Sequence, residues 1–87
     1  MKKVEEIKRE VENKHMSFGR LNQYMVEAGY HSNLEDTDPL RIRNASRIIF
    51  LGKEEYGKVE MNVLITRQSA FADGLCMVIT DVYELND

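Results

Sequence analysis

Apolar residues recur along this chain in two different periods, and the change from one to the other marks the architecture. In residues 2–14, Val4, Ile7 and Val11 fall three and four positions apart, with mostly charged residues between them and no Gly or Pro. That spacing predicts a surface helix with a narrow apolar stripe. Two acid-before-base pairs four apart, Glu5 with Arg9 and Glu10 with Lys14, reinforce it. A second helix is expected to start after Ser17, whose hydroxyl suits an N-cap, with Met16 packing on Leu21 as a hydrophobic staple. Its inward face would hold Phe18, Leu21, Tyr24, Met25 and Ala28, and Gly29 suits the left-handed position that ends a helix. Joined at about residues 15–17, the two helices are expected to form a hairpin over residues 1–30.

The helical period then stops. Asp36, Thr37, Asp38 and Pro39 together are turn-forming, so residues 31–45 read as an irregular connector. Within it, 38–44 admits either a short edge strand, from Leu40 and Ile42 alternating with Arg41 and Arg43, or a helical turn opened by Asp38 and Pro39. Beyond it the chain reads as strands over 47–51, 58–66 and 75–82, which are β-branched and apolar or alternating. The connections at 52–57 and 68–74 are short, so an antiparallel meander follows, with the 58–66 strand in the middle. The expected fold is one α+β domain over residues 1–87, a two-helix hairpin followed by a three- or four-stranded antiparallel meander over 46–87.

Two amphipathic helices cover one face of such a sheet, and that face would centre on Val59, Met61, Val63 and Ile65. The other face would still receive Leu64, alternate residues of the first strand (Ile48 and Phe50, or Ile49 and Leu51), and either Leu75, Met77 and Ile79 or Cys76, Val78 and Val82. Either the connector and the last residues fold over this surface, or it is an interface for a homodimer or another protein partner. Ile49, Leu51, Leu64, Cys76 and Val78 are the candidate interface residues, and edge-strand pairing between subunits is a second way to build the contact.

Composition narrows the setting. Hydrophobic residues are 43% of the chain and charged residues 31%, a folding balance, and the net charge of -3 indicates neither a strongly basic nucleic-acid binder nor a heavily acidic mimic of nucleic acid, leaving the partner open. The single cysteine, Cys76, allows no internal disulfide, and Val4 to Glu10 contains no apolar signal-peptide run, so a reducing, cytoplasmic setting is expected. No stretch of 18 apolar residues exists for a membrane span.

Chemistry-bearing groups are scattered. His15, His31 and Cys76 stand singly, and Asp36 with Asp38 is followed by Pro39 and Leu40 where a calcium loop needs more oxygen ligands, so no metal site is expected. Cys76, inside an apolar strand with no activating base nearby, reads as a small buried hydrophobe. The five glycines are dispersed, so no phosphate cradle and no cofactor is expected. A small enzyme using His31 with Asp36 or Asp38 is the weakest reading. The one local charge bias is Arg41, Arg43 and Arg47, which could hold nucleic-acid phosphates, extended by Lys53, Lys58 and Arg67. Pairing of those arginines with Asp36, Asp38 and the C-terminal carboxylates is the preferred account of them, given the mild negative net charge. The leading expectation is a non-enzymatic interaction module, with phosphate binding second.

Overall fold

The computed structural model describes residues 2–32, 45–52, 57–71 and 74–85. Among them are two helices and five strands: α1 (Val4–Val11), β1 (His15–Ser17), α2 (Phe18–Ala28), β2 (Tyr30–Ser32), β3 (Ala45–Gly52), β4 (Lys58–Arg67) and β5 (Cys76–Leu85). The strands form one antiparallel sheet in the order β1-β5-β4-β3-β2. The α+β class and the central place of the 58–66 strand hold, and β3-β4-β5 is the expected meander. The helical hairpin and the strand count do not.

Residues 15–17, expected as a helix–helix connection, are an edge strand. Helix α1 stops at Val11, two residues before Asn13 takes a left-handed φ of 64°, a conformation that Asn tolerates better than most residues. The chain then runs extended beside β5, with His15, Met16 and Ser17 opposite Val78, Met77 and Cys76. Lys14 therefore leaves the helix before it can pair with Glu10, which instead lies 2.9 Å from Lys2. Lys8 reaches Glu12 at 2.7 Å and Asp81 of β5 at 3.0 Å. Tyr30–Ser32, expected as the start of the connector, is the other edge strand and pairs with β3. Residues 33–44, and with them the choice between strand and turn at 38–44, lie outside the described residues.

Helix α2 forms as expected. The Ser17 hydroxyl accepts the Arg20 backbone N–H at 3.2 Å, and Gly29 ends the helix at φ 101°, where its N–H donates to the Met25 and Val26 carbonyls. Ile7 and Val11 of α1 and Phe18, Leu21, Met25 and Ala28 of α2 pack on the inner sheet face, which supplies Tyr30, Ile48, Phe50, Val59, Met61, Val63, Leu75, Met77, Ile79 and Val82. Met16, Tyr24 and Ile65 pack at the margin of this core.

Strand β5 does not alternate evenly. Val63 pairs with Ile79 and Met61 with Val82, so two residues of β5, Thr80 and Asp81, stand against Asn62 alone. This bulge carries Val82 to the inner face, against its expected grouping with Cys76 and Val78. A second shift makes Thr66 the extra residue of β4, because Ile65 pairs with Met77 and Arg67 with Cys76.

Phe50 is fully buried at the centre of this core, so Phe50→Ala is expected to cost about 3–5 kcal/mol in chemical denaturation. Gly29→Ala, forced into positive φ, is expected to cost on the order of 1 kcal/mol by the same measurement.

Candidate functional site

The face of the sheet turned away from the helices is organised in cross-strand rows. At one end, Leu64 stands between Ala45 and Val78, and Val78 in turn faces His15 of β1. The next row is Arg47, Asn62 and Asp81; the next, Ile49, Glu60 and Tyr83; the last, Leu51, Lys58 and Leu85. All five residues expected to form the interface lie on this face. They do not form one patch. Leu64 and Val78 are side by side and Cys76 follows along β5, whereas Ile49 and Leu51 lie beyond the polar row of Arg47, Asn62 and Asp81.

Leu64 is 48% exposed in the middle of the sheet, while Ile49, Leu51, Cys76 and Val78 are half-buried. Cys76 is thus a partly exposed residue of the outer face rather than a core hydrophobe; its thiol sulfur lies 3.7 Å from the Gly74 carbonyl oxygen. His15 Nε2 is 2.6 Å from Thr66 Oγ1, joining β1 to the bulged residue of β4. Past the Leu64 end, Phe71 in the β4–β5 loop is 79% exposed. Its N–H donates to Ser69 Oγ at 3.2 Å and its carbonyl accepts from Gly74 N–H at 3.0 Å, which ties the loop locally. An added Cβ at Gly74 would lie 2.5 Å from Ser69 Oγ, so a larger residue there would displace the Ser69 side chain.

The polar groups are engaged with one another. Glu60, only 6% exposed although it faces outward, accepts a hydrogen bond from the Tyr83 hydroxyl. That bond, helped by burial, holds the Tyr83 phenol above its ordinary range. Asp81 accepts from Lys8 and from the Val82 N–H at 2.9 Å, and the Lys8 ammonium chiefly holds its carboxyl below the usual range. Lys8 also donates to the Val82 carbonyl at 3.3 Å. The backbone of Val82 on the open edge of β5 is therefore satisfied within the chain, one of the ways a sheet edge is blunted.

Sequence reading missed Glu60, Tyr83 and Asp81, because the bulge that brings Asp81 and Tyr83 to this face has no marker in the residue pattern. Phe71 was legible only as a loop residue. Arg41, Arg43, Asp36 and Asp38 lie outside the described residues. Arg47 is exposed, but it shares the face with Glu60 and Asp81, a local field unlike that of a phosphate site. His31 is exposed on β2 opposite Leu51. Among the described residues no three of His, Cys, Asp and Glu come together as metal ligands, and no helix is long and apolar enough to cross a membrane. Comparison with known protein families, curated proteins and solved structures finds no match to this chain.

Because folding raises the Tyr83 pKa, its hydrogen bond stabilises the protein below the phenol's ordinary value of about 10, and this contribution is lost as pH rises through the higher folded value. Tyr83→Phe is expected to be less stable near neutral pH and to lose less stability than the wild type in an alkaline titration followed by circular dichroism.

Proposed function

We propose that this domain is a non-enzymatic protein-interaction module, acting as an adaptor, inhibitor or accessory subunit, and that a protein surface docks on the outer face of β3, β4 and β5. The observation that carries this reading is Leu64, a large apolar side chain 48% exposed on the central strand beside Val78. Covering its exposed half is worth about 1 kcal/mol, and the half-buried Val78, Cys76, Ile49 and Leu51 add to that on the same face. An edge-strand mode is less well supported at β5, where Lys8 and Asp81 already engage the backbone of Val82. The acid and phenol on this face bond each other and form part of its surface. Free Cys76 at the margin of the face fits a reducing, cytoplasmic setting.

Val26 provides a control, being 54% exposed on α2 as an isolated apolar residue. With a photo-cross-linking amino acid at position 64 or at position 26 in host cells, defined protein adducts are expected from 64 and not from 26. Leu64→Lys is expected to keep the circular dichroism of the wild type and lose the association. Equal labelling from both positions, or association unaltered by Leu64→Lys, would contradict the reading.

A further inference from the structure

The outer face is complementary to itself, and we infer that its occupant is a second copy of this chain, packed face to face about a two-fold axis running along β4. This rests on the interaction reading above and names the partner. A two-fold axis along the central strand keeps every cross-strand row in place and exchanges the β3 side with the β5 side. The row Arg47, Asn62, Asp81 then meets Asp81, Asn62, Arg47 of the second copy, which makes two opposite-charge pairs and an amide pair that both donates and accepts. In the neighbouring rows Ile49 meets Tyr83, Leu51 meets Leu85, and Leu64 meets its own counterpart.

The charges choose this axis over the alternative. A two-fold axis across the strands at this row would lay β3 on β3 and β5 on β5, setting Arg47 near Arg47 and Asp81 near Asp81, an arrangement that like-charge repulsion opposes. Lys8 does not cancel the attraction of Asp81 for arginine, because Lys8 is shared with Glu12 at 2.7 Å and the cluster of the three keeps one negative charge. Arg47 has no carboxylate in salt-bridge range among the described residues. Two like pairs remain along the axis. Glu60 is buried under its bond to Tyr83, and Lys58 sits in the end row, at the margin of the contact.

Sedimentation of the full chain at high micromolar concentration tests this, with Arg47→Glu and Asp81→Arg measured alone and mixed. The wild type is expected to be a dimer, and each variant alone to dissociate at least about tenfold more readily, since its two cross-copy pairs become like-charged. An equimolar mixture is expected to recover the dimer. In the mixed pair the acid introduced at position 47 of one copy meets the base introduced at position 81 of the other, and the native Asp81 and Arg47 meet each other. A monomeric wild type, or a mixture no tighter than the single variants, would overturn the inference. If Asp81→Arg fails to fold after losing its contacts with Lys8 and Val82, Arg47→Lys decides instead. Zero-length carbodiimide coupling between isotopically distinct copies is then expected to join position 47 to Asp81 of the other copy, and the absence of that link overturns the inference. A monomeric chain whose position 64 still cross-links a different protein refutes the second copy alone and leaves the outer-face reading standing. Failure of both experiments removes both.

Discussion

The pairing of β4 with β5 is the constraint on which the other features depend. Both strands are ten residues long, and they share the centre of the sheet. A strand sends successive side chains to opposite faces, so a shift of one residue moves everything beyond it to the other side. Two such shifts occur, at Thr80 and at Thr66. The first returns Val82 to the core opposite Met61 and turns Asp81 and Tyr83 outward to Asn62 and Glu60; the Thr80 hydroxyl, meanwhile, donates to the Asn62 carbonyl at 3.1 Å. With no extra residue, Met61 would oppose Asp81, placing a carboxylate against the core at a cost that only a partner or protonation relieves. The bulge is therefore what makes the end of β5 compatible with both the core and the outer face.

Regular periodicity made much of this legible. The stripe of Ile7 and Val11, the Ser17 cap, the Gly29 stop and the alternation of Val59, Met61 and Val63 all appear as expected, because each depends on local geometry or on burial against one face. Parity set Leu64 opposite the Val59 series but left two sets open on each neighbouring strand, and only the cross-strand register puts Ile49, Leu51, Cys76 and Val78 on the face of Leu64. The two edge strands were not legible: at three residues each, they are held by backbone bonds to a neighbour remote in sequence, and His15, Met16 and Ser17 carry no alternation long enough to register. Nor was the role of Asp81, since a bulge is a relation between two strands. Parity without the bulge assigns Val82 outward, and it is the bulge that corrects the assignment.

An outer face that alternates apolar and charged rows has consequences for association. In the proposed contact, Leu64 and Val78 at one end and Leu51 and Leu85 at the other would supply burial, whereas the row of Arg47, Asn62 and Asp81 would supply orientation, because charges fix register more effectively than they add affinity. Glu60 and Tyr83, bonded to each other, present a filled wall between the two. Past the Leu64 end, Phe71 stands in a locally tied loop with most of its side chain in solvent. On the opposite side of the sheet, among the described residues, both helices commit their apolar stripes to the core.

Dilution of the isotopically labelled protein, followed by backbone amide shifts in NMR, tests the central claim most directly. The account predicts concentration-dependent shifts confined to the outer-face rows around Arg47, Asn62, Leu64, Val78 and Asp81, with the helical face around Val26 unmoved. Shifts centred on α2, or none across the accessible concentration range, would contradict it.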